Sequence, residues 1–322
     1  MKIVVFTADK FRFEDRHRNK LASEFPSFEI CVAESSEALL KHLPSADVLI
    51  CGNYNFRPEW LPAAKNLKWI HSLAAGNEKI LPSLRDKPIL LTDSSGVHPI
   101  PIAEQVLGYM LIFERDLLAA RKAQERKEWA NLRLNELRGK SVLVLGLGAV
   151  GSCIASYCKL MGMKVMGTKR AGAVASADIN TLADEFFDIS DLVSCLPLAD
   201  YVVIALPSTK ETYHLLGRAE FSMMKPTARL VNIGRGSIVD ELALIAALNE
   251  RKIAGAALDV FEQEPLPKES PLWGMENVII TPHNAGLTPY YIDRVVEIFC
   301  INMKAYLGSK KMLNLVDKAK GY

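Results

Sequence analysis

Ser141-Val-Leu-Val-Leu-Gly-Leu-Gly-Ala-Val-Gly151 decides how the rest of the chain is read. Val142 to Leu145 form an apolar, β-branched run of the length of a buried strand, and it empties directly into Gly146, Gly148 and Gly151. Beyond the glycines the spacing turns helical, with Ile154, Ala155, Tyr157, Cys158 and Met161 recurring until Gly162 closes the segment before a second strand-like run, Lys164-Val-Met-Gly-Thr168. Gly-x-Gly-x-x-Gly alone is a weak signal; the strand before it and the helix after it give it weight. Strand, glycine turn, helix, strand is the unit in which a dinucleotide lays its pyrophosphate on a helix N-terminus. Gly146 makes the tight turn, Gly148 lets backbone approach phosphate, and Gly151 lets helix and strand pack closely.

Around this unit the chain has 322 residues, enough for two domains with a core each. Apolar residues make up 49% and charged ones 24%, the composition of a soluble globular protein. The 39 basic and 37 acidic residues nearly cancel, leaving a net charge of +2 without a basic or acidic block, so nucleic-acid and membrane-surface binding have no electrostatic support. The cysteines at 31, 51, 153, 158, 195 and 300 lack metal-ligand spacing and read as buried reduced thiols; no metal site is expected. Met1-Lys-Ile-Val-Val-Phe reads as a strand rather than a signal peptide, and no apolar run is long enough to cross a bilayer, which makes a cytoplasmic location the expectation.

Taken in order, Ile3 to Phe6, Phe28 to Val32, Val48 to Cys51 and Trp69 to His71 read as strands of a small open α/β domain. The charged stretch Arg12 to Lys20 reads as a solvated face, and Ser35 to Leu43 as a helix capped by Ser35 or Ser36. Thr92 to Pro101, rich in Ser, Gly and Pro, suits a crossing between domains. A long helix is expected from Ile102 toward Leu118 on the apolar stripe Val106, Tyr109, Met110 and Phe113, with helical pattern resuming toward Trp129. That excursion is either a dimer arm or a segment packed across its own domain. Further strands are expected at Tyr201 to Leu206, Arg229 to Ile233, Gly255 to Leu258 and Val278 to Ile280, with a helix from Asp240 to Asn249.

Polar residues stand immediately after several of these strands, and Arg235, Glu264 and His283 are the ionisable ones with chemistry to offer. Singly each has an ordinary explanation; together, beside a dinucleotide turn, they suit carbonyl reduction. Hydride addition to a 2-oxo acid builds negative charge on the ketone oxygen, so a proton donor must stand there, and His suits near-neutral pH. A carboxylate on the other ring nitrogen holds the tautomer, the role that fits Glu264. The planar fork of Arg235 suits a substrate carboxylate and its carbonyl better than a lysine would.

With these residues in place, the chain resembles the D-isomer-specific 2-hydroxyacid dehydrogenase family over nearly its whole length. The carrying motifs are Gly146-Leu-Gly-Ala-Val-Gly151, Asn232-Ile-Gly-Arg-Gly236 with Val239-Asp240, Ala257-Leu-Asp-Val-Phe261, Glu264-Pro265 and Thr281-Pro-His-Asn284. The resemblance implies an α/β fold of two open parallel-sheet domains. One is a Rossmann-type dinucleotide-binding domain over residues 99–287; the other is a smaller, discontinuous, flavodoxin-like substrate domain over 1–98 and 288–322. It implies Arg235, Glu264 and His283 as the catalytic trio and Asp259 as the contact to the nicotinamide carboxamide. Further cofactor contacts implied are Gly146, Gly148, Ala149, Val150, Gly151, Leu206, Pro207, Ile233, Gly234, Arg235, His283, Ala285 and Gly286. Ala75 and Gly76 match the loop whose backbone N–H groups hold the substrate carboxylate, and a homodimer through the cofactor domain follows from the same resemblance.

One departure bears on the cofactor. NAD-preferring members carry an acidic residue about 20 residues past the first glycine to bond the ribose hydroxyls; here the site reads Thr168-Lys169-Arg170. Two cations and a hydroxyl suit a 2′-phosphate, so NADP(H) is expected over NAD(H), with NAD(H) still possible as a second cofactor. For the substrate side chain, Tyr54, Asn55 and Arg57 after the third strand, and Tyr290 and Tyr291 after the His motif, are the candidates. Aromatic residues at the mouth would suit larger apolar 2-oxo acids, whereas Arg57 would suit an extra carboxylate or phosphate. The rival from another class is a nucleotide-sensing, corepressor-like binding protein, since such relatives keep the same motifs. Formate dehydrogenation on the same scaffold is opposed by Glu264, because the formate branch has Gln there.

Overall fold

The computed structural model describes residues 1–7, 12–74, 76–77, 79–169 and 182–318. The backbone divides into two units, Met1–Val97 with Thr288–Tyr322, and His98–Leu287.

In the first unit, strands β1 (Lys2–Phe6), β2 (Glu29–Ala33), β3 (Val48–Cys51), β4 (Trp69–Ser72) and β5 (Leu90–Thr92) form a parallel sheet in the order β2-β1-β3-β4-β5. That is the doubly wound order with one switch point. Val5 lies between Val32 of β2 and Ile50 of β3 in register, so a row of β-branched side chains lines one face of the centre, and Val4, Cys31 and Leu49 line the other. One face is closed by helix Tyr291–Leu307, whose Phe299 stacks on the fully buried Trp69 with ring centroids 4.9 Å apart. Helix Ser36–His42 starts as its sequence asks, with Ser35 Oγ accepting from the Ala38 N–H at 3.1 Å. The stretch Arg12 to Lys20, read as a solvated face, leads into helix Asp15–Glu24; Arg12, Asp15, Arg16 and Arg18 are exposed, but His17 within it is buried with Leu21.

In the second unit, β6 (Ser141–Leu145), β7 (Lys164–Lys169), β8 (Glu185–Asp188), β9 (Tyr201–Ile204), β10 (Arg229–Asn232), β11 (Gly255–Leu258) and β12 (Val278–Ile280) form a parallel sheet ordered β12-β11-β10-β9-β6-β7-β8. Helix Ala149–Leu160 carries the chain from β6 to β7 on one side, while β9 pairs β6 on the other. The strand order therefore reverses at the carboxyl end of β6, the place where such sheets bind ligands.

Several boundaries differ from the sequence reading. Helix Pro99–Glu114 begins earlier than expected and stops short of Leu118, because Asp116 is left-handed (φ 46°) and the chain restarts as helix Leu117–Glu125. The stop coincides with the buried Glu114, whose Oε1 accepts from Tyr201 Oη at 2.5 Å and Arg229 at 3.0 Å and so fixes that end of the helix. Strands β5 and β8 and helix Arg218–Met223 had no periodic signal of their own. All six cysteines are free thiols, of which Cys31 and Cys153 are only half-buried. Among the described residues no helix is long and apolar enough to cross a membrane.

Candidate active site

The glycine turn after β6 is built as an anion cradle. Gly146 takes φ +95°, and its N–H donates to Thr168 Oγ1 at 3.1 Å. A Cβ on Gly151 would sit 1.9 Å from the Gly146 carbonyl oxygen, so only glycine lets the helix start this close to the strand. At Gly148 a Cβ would meet nothing within 4 Å, and the residue caps the helix without a side-chain bond. Gly148 and Ala149 are exposed and Val150 half-buried, which leaves the first-turn N–H groups open to an anionic partner. A pyrophosphate fits this arrangement. Thr168, expected among the cofactor contacts, is buried and its hydroxyl is taken by the Gly146 N–H, so it shapes the turn from behind. Lys169 ends β7; its side chain and Arg170 lie outside the described residues.

The loops after β10, β11 and β12 interlock. Asn232 closes β10 and staples the next turn, its Oδ1 accepting from Gly234 N at 3.1 Å and its Nδ2 donating to the Arg235 carbonyl at 3.1 Å. Gly236 lies so tightly on the neighbouring loop that a Cβ would stand 1.8 Å from the Phe261 carbonyl carbon. Arg235, exposed, is thereby set beside the loop that follows β11. In that loop Glu264 Oε1 accepts from Phe261 N at 3.1 Å, while Oε2 meets His283 Nδ1 at 2.7 Å. The His283 side chain is 51% exposed, and the ring nitrogen that meets Glu264 is Nδ1. Leu206 is half-buried and Pro207 exposed after β9, Ile233 and Gly234 are buried after β10, and Ala285 is buried before the tightly packed Gly286.

Asp259, directly after β11, is buried and already committed. Its Oδ1 accepts from Thr281 Oγ1 at 2.5 Å and Asn284 N at 3.0 Å, and Oδ2 from Ala285 N at 3.0 Å. His283 itself is held in a left-handed conformation (φ +50°), its N–H donating to the Asp259 carbonyl at 2.9 Å. Asn232 and Thr281 were missed as site-building residues. For Asn232 the signal available was its place two residues before Gly234, where a side chain reaches its own turn; Thr281 bonds Asp259, 22 residues away, and carried no local signal.

In the first unit the loop after β4 keeps Gly76 half-buried and Asn77 buried, with Asn77 Nδ2 donating to Asp93 Oδ2 at 3.2 Å; Ala75 lies outside the described residues. Tyr54 is 75% exposed on a short turn after β3, and Lys79 Nζ stands over its ring at 5.4 Å. Tyr290 is exposed, but Tyr291, a candidate for the substrate side chain, is buried with its hydroxyl donating to the Leu73 carbonyl and is part of that unit's core.

A doubly wound sheet with this turn at its switch point and a Glu–His pair among its strand-end loops defines a nicotinamide-dependent oxidoreductase. The chain belongs to the D-isomer specific 2-hydroxyacid dehydrogenase family, an NAD(P)-dependent family, with residues 107–285 matching the family's NAD-binding domain. It is 36% identical over 292 residues to the glyoxylate reductase of Thermofilum pendens, an alignment that covers 88% of this chain and 85% of that one. Among solved structures it is similar to a D-isomer specific 2-hydroxyacid dehydrogenase family protein of Aeromonas salmonicida (TM-score 0.86, 32% identity, 98% of this chain and 99% of that one). It is also similar to an NADPH-dependent glyoxylate/hydroxypyruvate reductase of Sinorhizobium meliloti, described in complex with NADP and sulfate (TM-score 0.81, 26% identity, all of both chains).

Proposed function

We propose that this protein reduces a 2-oxo acid to the D-2-hydroxy acid, and runs the reverse reaction, with NADP(H) preferred over NAD(H). The observation that carries the reading is the 2.7 Å pair between Glu264 Oε2 and His283 Nδ1 beside the Arg235 turn. When bound, the dihydronicotinamide supplies the hydride. His283 holds the proton for the ketone oxygen on Nε2, the nitrogen that Glu264 leaves free, and the Glu264 carboxylate holds Nδ1 and so orients the ring. Arg235 grips the substrate carboxylate and polarises the carbonyl, so charge developing on oxygen meets two fixed donors.

The cradle of Gly146, Gly148, Ala149, Val150 and Gly151 would hold the pyrophosphate. Lys169 and Arg170 would hold the 2′-phosphate, and Leu206, Pro207, Ile233, Gly234, Ala285 and Gly286 would flank the rest of the cofactor. Asp259 Oδ2, with one N–H donor, retains an acceptor for the nicotinamide carboxamide. The N–H groups of Ala75 and Gly76 would take the substrate carboxylate, with Tyr54 near its side chain. Support for NADP(H) comes from the two cations and the missing carboxylate at the end of β7 and from the NADP-bound relative. We place the protein in the cytoplasm as a homodimer, with the exposed Leu117, Leu118 and Trp129 of the second unit as the contact.

Initial rates of NADPH and NADH oxidation on glyoxylate, hydroxypyruvate, pyruvate, 2-oxoisocaproate and phenylpyruvate test the reading. Turnover at least about tenfold better with NADPH, a preference that Lys169→Asp with Arg170→Ala reverses, is the expected result. His283→Ala should lower kcat by about 1,000-fold while NADPH still binds. A chain silent on every acid yet still binding nucleotide would overturn the reading in favour of a nucleotide-sensing binding protein.

A further inference from the structure

Packing does not account for the polar end of one residue in the apolar stripe of helix Pro99–Glu114. Tyr109 is fully buried, and its hydroxyl lies 2.5 Å from Thr281 Oγ1, which in turn lies 2.5 Å from Asp259 Oδ1. The direction of this chain is fixed by what each group can give. An ionised carboxylate only accepts, so the single Thr281 proton goes to Asp259, and the phenol must then donate to Thr281. Burial pushes the Tyr109 hydroxyl above its usual pKa, which keeps it a donor throughout the working range, and Gln105 bonds the same phenol.

The chain ends on the backbone of His283. Asp259 takes the N–H groups of Asn284 and Ala285, and the His283 N–H is shared between the carbonyls of Asp259 at 2.9 Å and Thr281 at 3.1 Å. A histidine at φ +50° sits in a region that side-chain-bearing residues avoid, and these bonds hold it there. We infer that Tyr109 is a positioning residue for His283, acting through Thr281 and Asp259. It locks the Thr281 hydroxyl toward the carboxylate, the carboxylate locks the 283–285 backbone, and the imidazole is thereby aimed. The inference rests on His283 being the proton donor.

A double-mutant cycle tests it, with glyoxylate and NADPH as probes and kcat, its pH profile, NADPH affinity and thermal midpoint as readouts. Tyr109→Phe is expected to lower kcat about fivefold with little change in NADPH affinity. Thr281→Val should cost more, Thr281→Ser should recover most of that loss, and Tyr109→Phe should add nothing in the Thr281→Val background. In a His283→Ala background Tyr109→Phe should leave the residual rate and its pH profile unmoved. Additive losses in the cycle, an effect confined to KM, or an equal loss without His283 would overturn the inference. If His283→Ala retains turnover, the proton-donor reading fails; if His283→Ala is inactive and Tyr109→Phe matches wild type, this inference alone fails.

Discussion

Each unit places a buried aspartate directly after a sheet strand, Asp259 after β11 and Asp93 after β5, and gives it a different set of partners. Asp259 receives one hydroxyl and two backbone N–H groups, all from the segment that carries His283. Asp93 receives the Ser95 N–H at 2.9 Å, the Ser95 hydroxyl and the Asn77 amide at 3.2 Å, and burial still pushes its carboxyl above the usual carboxylate range. Where the donors come from decides what a buried carboxylate does. Asp259, supplied wholly by the segment that carries His283, ties that loop to β11; Asp93, supplied by its own turn and by Asn77, carries a charge that folding has to tolerate.

The largest expected effect tests the first half of that contrast. Asp259→Asn turns an acceptor into a group that presents N–H to N–H, so kcat should fall about 100-fold, with a lower thermal midpoint. A loss no greater than that of Asp93→Asn would break the comparison.

Next comes acid. His71 in β4 is fully buried; Ser94 Oγ gives its proton to the Ser72 carbonyl, so it accepts from His71 Nε2, and Nδ1 accepts from the Thr92 hydroxyl at 2.7 Å. Burial pushes the ring down to about 3. The unfolded chain therefore takes a proton below about 6.5 that the folded chain refuses, and stability falls as pH drops from there toward 3. About 2 kcal/mol should be gone by pH 5, read as a falling urea midpoint and as faster hydrogen exchange in β4; His71→Gln should flatten the dependence.

The smallest effect has the opposite sign. A carboxyl whose folded pKa is raised costs stability once it ionises, so Asp93→Asn should leave the neutral thermal midpoint unchanged or raise it by a few degrees. The gain should vanish below about pH 4, where the wild-type carboxyl is protonated too. Destabilisation at neutral pH would show that Asp93 is held as firmly as Asp259.

What was legible in the sequence was local. The turn at Gly146 to Gly151 and the residues Arg235, Glu264 and His283 are read from strand ends and glycine spacing, because those signals lie within a few residues of the groups they position. Tyr109 carried only helical periodicity, and its partner Thr281 stands 172 residues away. A period of 3.6 says which way a ring faces and nothing about what its hydroxyl touches. The early end of helix Pro99–Glu114 was hidden for the same reason, since Glu114 meets Tyr201 and Arg229 only in the folded sheet. Strands β5 and β8, of three and four residues, are too short to show alternation, and their neighbours in the sheet define them.

The missing methyl group at Gly236 makes two loops one mechanical part. With the Phe261 carbonyl in the space where any larger residue would put its first carbon, the Arg235 turn and the segment leading to Glu264 cannot be redesigned separately. A library that remodels either loop for a new substrate inherits the other as a fixed boundary, so useful variation belongs in the side chains that the shared seam presents and not in its backbone.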